Sequence, residues 1–272
     1  MSKDKQIFPY FARWFSGKTA LITGATSGIG REIAKQLSYY GSRVLLCGRN
    51  KVAMNLLLEE LNANSSFPAD KFFADFSKKE SLQELIAKVY KDYEVDVLVN
   101  NAGFGDMNDF CLMSDDKVNS MQEVNMSAVV KLCRQFLPMM KHRSGSGILN
   151  VGSVASFFPT PGSALYGATK HFILGFTDAL HEEMLSFGVH VTGVYPGKTR
   201  SRFLERATGG KVKDWEEAMS PRLVAKSALK GLSENRVRVI PGFSNRIKVF
   251  TASIIPISLL LKKTYTNNPN KE

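Results

Sequence analysis

The sequence predicts an α/β protein built on one doubly wound parallel sheet, helices on both faces, with an apolar C-terminal extension. Three observations carry this expectation. Short apolar runs suited to buried parallel strands alternate with amphipathic helical stretches. The first run ends in a glycine-rich turn, Gly24-Ala25-Thr26-Ser27-Gly28-Ile29-Gly30, that opens straight into a helical stretch. No linker or internal repeat interrupts the alternation. One domain over residues 17–240 is therefore expected, with an arm at 1–16 before it and the extension at 241–272 after it.

Composition narrows the class. The 272 residues are 44% hydrophobic and 22% charged, as in ordinary globular proteins, and long enough to bury a sizeable core. The net charge of +11 suits anionic partners: a phosphorylated cofactor, an acidic substrate or an anionic lipid surface. Nucleic acid is not expected, because no zinc spacing, nucleic-acid-binding motif or single basic helix is present. Three widely spaced cysteines, Cys47, Cys111 and Cys133, read as free thiols in a reducing compartment. No secretion-signal core and no run of 18 apolar residues occurs, so a cytoplasmic chain is expected.

In chain order, residues 1–17 read as a short helical arm, with Ile7, Phe8, Tyr10, Phe11, Trp14 and Phe15 available to pack on the body. Lys18–Thr23 is the first strand, and Arg31–Tyr40 continues the helix after the glycine turn. Arg43–Gly48 is the second strand, Lys51–Asn62 a helix, Phe67–Asp75 the third strand and Lys78–Tyr93 a helix. Val95–Val99 is the fourth strand, followed by one helix from Ser114, its N-cap, to Met140. Gly147–Ser153 is the fifth strand, Ala164–Phe187 a long helix and Val189–Tyr195 the sixth strand. Pro221–Ser233 is a helix and Val237–Ile240 the last strand. In such sheets ligands sit outside the carboxyl ends of the strands. The glycine turn, Arg49, Asp75, Asn100, Ser153 and Pro196 all fall at those ends, so residues far apart in sequence converge on one crevice.

The chemistry of that crevice follows from residue types. Glycines between a strand and a helix let a pyrophosphate approach the helix N-terminus and its free N–H groups. At the end of the second strand, where an acid would bond a ribose 2′-hydroxyl, Cys47–Asn50 offers only Arg49, which suits a 2′-phosphate. NADP(H) is thus expected over NAD(H). Tyr166 and Lys170 are four apart on one helix face, where a fixed cation would lower the phenol's pKa towards neutrality.

Taken together, Thr23-Gly24-Ala25-Thr26-Ser27-Gly28-Ile29-Gly30, Asn100-Asn101-Ala102-Gly103, Asn125, Ser153, Tyr166-x-x-x-Lys170 and Pro196-Gly197 resemble the short-chain dehydrogenase/reductase family over about residues 17–240. The resemblance implies a Rossmann-like fold and an oxidoreductase that interconverts a carbonyl and an alcohol. It implies that Gly24, Gly28 and Gly30 form the pyrophosphate turn, with Ser27 and Ile29 in its wall. Asp75 would meet the adenine, while Asn100, Asn101, Ala102 and Gly103 would form the cofactor side of the fourth strand end. Tyr166 would act as general acid and base, Ser153 would hold the substrate oxygen, and Lys170 would hold the nicotinamide ribose and lower the pKa of Tyr166. Asn125 would seat a proton-relaying water. Thr199, after Pro196 and Gly197, would bond the carboxamide. A homo-oligomer, dimer or tetramer, is also implied. Where many NADP-preferring relatives carry a second basic residue in the glycine turn, this chain has Thr26 and Ser27, so the cofactor expectation rests on Arg49.

Two stretches stay open. Residues 198–220 resemble the family's substrate lid and are basic through Lys198, Arg200, Arg202, Arg206, Lys211 and Lys213. That suits an anionic substrate such as a carboxylate or coenzyme A thioester, and equally a solvated loop. The apolar run Val249–Leu261, flanked by Arg246, Lys248, Lys262 and Lys263, is too short to span a bilayer. It has three possible places: a membrane interface (at the inner face of a membrane), a cover over a lipophilic substrate, or a subunit contact. Two other functions compete with a carbonyl oxidoreductase. One is a non-catalytic dinucleotide-binding redox sensor, against which the complete Ser153, Tyr166 and Lys170 set argues. The other is an epimerase or dehydratase of the longer-chain relatives, against which the length and glycine spacing argue.

Overall fold

A computed structural model describes residues 9–63, 65, 67–143, 145–210 and 218–266. Seven strands form one parallel sheet in the order β3-β2-β1-β4-β5-β6-β7. They are β1 (Thr19–Thr23), β2 (Arg43–Gly48), β3 (Asp70–Phe73), β4 (Val97–Asn100), β5 (Gly147–Val151), β6 (His190–Val194) and β7 (Arg238–Val239). Every pairing is parallel. The chain reverses its direction of travel across the sheet between β1 and β4, which opens a crevice at their carboxyl ends.

The strands are apolar because both of their faces are covered. On one face Ala20, Ile22, Val44, Leu46, Val97 and Val99 pack under α1 (Gly28–Tyr39), α2 (Lys51–Asn62) and a helix at Pro221–Ser233. On the other, Leu21, Leu45, Leu98, Ile148 and Val191 pack under α3 (Lys79–Asp92) and the helices that follow β4 and β5. Alternate residues of one strand thus serve two cores. At the amino ends of the strands the Asp96 carboxylate accepts from Thr19 N at 2.8 Å and from Arg143 Nε at 2.7 Å. Ahead of β1, a 3₁₀ turn at Tyr10–Phe15 buries Ala12 and Phe15, and Trp14 stacks on His190 at 5.1 Å between ring centroids. Ile7 and Phe8, named with that arm, lie outside the described residues.

The single helix expected over residues 114–140 is divided. It runs as α4 (Asp115–Gln122), a π-helical segment at Glu123–Ser127, and α5 (Ala128–Met140). Ser114 is the N-cap residue but makes no side-chain cap bond. The wide π turn turns Asn125 inward, which periodicity does not reveal. Strand β3 is shorter than Phe67–Asp75 because Pro68 precedes it at the sheet edge. Strand β5 stops at Val151, and Ser153 instead caps a 3₁₀ turn at Val154–Ser156. The remaining helices are α6 (Ala164–Leu185), α7 (Arg202–Ala207), α8 (Pro221–Ser233), α9 (Phe243–Ile254) and α10 (Ile257–Thr266). Helix α7 occupies part of the expected loop at 198–220; Lys211 and Lys213 lie outside the described residues. No helix among the described residues is long and apolar enough to cross a membrane.

Candidate active site

A cleft of about 1360 Å³ lies over the carboxyl ends of the strands. Single-ligand pockets are typically about 300–1,000 Å³, so there is room for a dinucleotide and a second small molecule. Its floor begins with the turn after β1. Gly24 has φ +65°, and a Cβ there would stand 2.8 Å from the Asn101 amide. Gly30 is helical, but a Cβ on it would run into both the Asn101 amide and the Gly24 carbonyl. That amide donates to the carbonyls of Thr23 at 2.9 Å and Gly24 at 3.1 Å. The Thr23 hydroxyl accepts from the N–H groups of Asn101 and Ala102, each at 3.0 Å, and donates to Val99 O. β1 and β4 are thereby clasped at the crevice.

Ser27 is the N-cap of α1 but accepts no cap bond, so the first N–H groups of that helix face the cleft without a side-chain partner. An uncapped N-terminus beside glycines is a site for a pyrophosphate. Farther along, Arg49 and Asp75 line the same cleft and lie 3.6 Å apart. Asp75 also accepts from the N–H and hydroxyl of Ser77, which hold its carboxyl below the usual range against the opposing effect of burial. The guanidinium is the more exposed partner, free to turn towards a phosphate.

At the other end, Ser153, Tyr166 and Lys170 meet. The Ser153 hydroxyl acts on the Tyr166 phenol, lowering its pKa, and accepts from Ala155 N at 3.2 Å. Lys170 is buried; its Nζ donates to Val151 O at 2.9 Å and lies 5.7 Å from the centre of the Tyr166 ring. Burial pushes the ammonium down to about 8. Burial pushes the Tyr166 phenol up to about 12, with the Ser153 hydroxyl acting in the opposite direction.

The residues expected at the site take two kinds of place. Gly24, Ser27, Gly28, Ile29, Arg49, Asp75, Asn101, Ala102, Gly103, Ser153, Tyr166, Lys170, Pro196, Gly197 and Thr199 line the cleft, whereas Gly30 stands behind it. Asn125 also stands behind. It accepts from Phe104 N at 3.1 Å and donates to Phe104 O at 2.9 Å and the Thr169 hydroxyl at 3.1 Å, tying the loop after β4 to α6. Asn100 is not at the cofactor side at all. It is buried, and its amide donates to Asn150 at 2.8 Å, because alternation along β4 turns it into the core.

Three contributors were not foreseen. Phe203 of α7 packs on Tyr166 with centroids 5.4 Å apart; an aromatic inside the basic stretch was the available signal. Asn245 of α9 donates to Pro241 O at 2.7 Å and fills the space beside Gly197. Ser201 lies against Gly28. Of the basic residues on 198–220, Lys198 and Arg206 reach the cleft rim, joined by Lys248 of α9.

Comparison with known proteins agrees with this geometry. The family model described as short chain dehydrogenase matches residues 18–210. An uncharacterized oxidoreductase of Staphylococcus epidermidis is 33% identical over 200 residues, covering 73% of this chain and 85% of that one. A 3-oxoacyl-[acyl-carrier-protein] reductase of Escherichia coli is 35% identical over 185 residues, covering 67% and 74%. Among solved structures, a short-chain dehydrogenase from Sphingobium yanoikuyae in complex with NADPH superposes with a TM-score of 0.79 at 28% identity, covering 87% and 93%. The chain belongs to the short-chain dehydrogenase/reductase family of oxidoreductases, whose members bind a nicotinamide dinucleotide.

Proposed function

We propose that this protein is an NADP(H)-dependent oxidoreductase that interconverts a lipophilic ketone or aldehyde with its alcohol, working as a homo-oligomer. The observation that carries the reading is the meeting of Ser153, Tyr166 and Lys170 at one end of a cleft whose other end is an uncapped helix N-terminus. The residues fit a dinucleotide: glycines whose Cβ atoms would block the turn, free N–H groups for the pyrophosphate, and Arg49 for a 2′-phosphate. Such a cofactor supplies or accepts the hydride at the carbonyl carbon.

The side chains do the rest. In reduction, the Tyr166 phenol gives its proton to the carbonyl oxygen, so carbon gains hydride and oxygen gains a proton. The Ser153 hydroxyl donates to the same oxygen as negative charge develops on it. Lys170, as an ammonium, stabilises the phenolate left behind, which then regains a proton from solvent. Ile247, Ile255 and Leu260 of the C-terminal segment join Phe158 and Phe203 around the substrate end, supporting a lipophilic substrate. The 3-oxoacyl reductase relative and the NADPH complex of the Sphingobium protein support a carbonyl substrate and the phosphorylated cofactor.

Fluorescence titration with NADPH and NADH tests the cofactor assignment. Wild type should bind NADPH at least tenfold tighter, and Arg49→Asp should abolish or reverse that preference. Equal affinities in both proteins would overturn it.

A further inference from the structure

The two C-terminal helices are amphipathic in the inverted sense. A surface helix of a globular protein ordinarily turns its apolar stripe to the core and its polar face to water. In α9, Phe243, Phe250 and Ile254 follow the spacing of a single stripe and are 76%, 66% and 66% exposed, while Ile247, 48% exposed, stands at its edge and borders the cleft. The helix buries no residue. The other face, with Ser244, Lys248, Thr251 and Ala252, is turned to the cleft. Helix α10 extends the outward apolar surface with Ile257 and Leu259, 55% and 60% exposed, while Leu260 turns inward to the cleft. Large apolar side chains exposed together on two successive helices of a folded chain mark an interaction site.

Charge selects the occupant. From Asn235 to Lys271 the sequence has seven Lys and Arg residues and no acidic residue. Arg236 and Arg238 are engaged with Glu234 and Asp178; among the described residues Arg246 of α9 donates only to the Ile240 carbonyl, Lys248 stands at the cleft rim, and Lys262 and Lys263 fall in the sequence of α10. An exposed apolar stripe in a segment that carries cations and no anion matches an anionic bilayer surface, where apolar groups enter the acyl boundary and cations meet lipid headgroups.

We propose that the outer face of α9 and α10 docks on an anionic lipid surface, so that the mouth of the substrate cleft, roofed by the inner face of α9, opens at the membrane. The docking stands independently of the reaction. Only its consequence, that a lipophilic carbonyl compound enters from lipid, rests on the proposed function.

Vesicle flotation with the full chain tests it without any activity readout. Wild type should float with vesicles of equal parts phosphatidylglycerol and phosphatidylcholine, and at least tenfold less with phosphatidylcholine alone. Phe243→Ser/Phe250→Ser/Ile254→Ser should lose most of the flotation while keeping its far-ultraviolet circular dichroism. The single Phe250→Ser variant, with a several-fold loss, serves should the triple variant fold poorly. Wild type that stays at the bottom with the anionic vesicles overturns the proposal. So does flotation that the folded variants retain. A wild-type oligomer that the substitutions break into smaller species, with no vesicle binding by either, also overturns it and assigns the face to a second copy.

Discussion

Lys170 is the residue at which function and stability pull apart. Its ammonium is buried with one hydrogen bond, to Val151 O, and burial holds it near 8 instead of 10.5. Below about pH 8 the lysine is charged in both folded and unfolded chains, and the full cost of burying the charge is present. Between about 8 and 10.5 the folded chain binds fewer protons than the unfolded one, so stability from this group rises with pH. Lys170→Met removes the charge but leaves the Val151 carbonyl unpaired, for a net gain of roughly 1–3 kcal/mol at pH 7. Melting curves should show the Lys170→Met variant more stable than wild type by a few degrees at pH 7, with the gap narrowing by pH 10. A variant that melts lower at pH 7 would mean that the lysine is not strained by burial. The same ammonium predicts that reductive kcat/KM falls as pH rises through about 8, since the cation that stabilises the phenolate is then lost.

Among the elements, the glycine turn shows how one sequence motif divides its labour. Gly24 and Gly28 line the cleft, but Gly30 does not; it makes room for the Asn101 amide that ties the end of β1 and its turn to the end of β4. Gly30→Ala should therefore lower stability by about 1–3 kcal/mol, as overpacking does, and weaken dinucleotide binding by displacing the turn. Denaturant unfolding together with titration checks both. A fully stable variant with unchanged affinity would contradict the packing role. The turn, the seven strands and the Tyr166–Lys170 face were legible in the sequence because each rests on local periodicity or on residue type at a fixed spacing. The π segment was not, because it is tertiary packing that draws Asn125 to Phe104 and Thr169. Asn100 was misplaced by a motif whose neighbouring residues point to opposite faces. For the C-terminal helices, hydrophobicity gave an apolar run but not which face would turn to the cleft and which to the outside.

At the scale of the whole molecule, a two-layered core fixes a rigid sheet, and the cleft at its carboxyl edge is completed from both ends of the sequence. Turns near residues 24–30 supply one end, and α9 and α10 roof the other. On the proposed function, α7, α9 and α10 build the substrate side, and specificity is expected there. The central claim, hydride transfer coupled to a proton from Tyr166, is tested most directly by NADPH deuterated at the nicotinamide C4 and a long-chain 3-oxoacyl thioester. Wild type should give an alcohol carrying deuterium at the former carbonyl carbon. Tyr166→Phe should bind NADPH unchanged and lose turnover by about 10²–10⁴-fold, the range for a general acid. Deuterium absent from the product of wild type, or turnover undiminished in the Tyr166→Phe variant, would contradict the account.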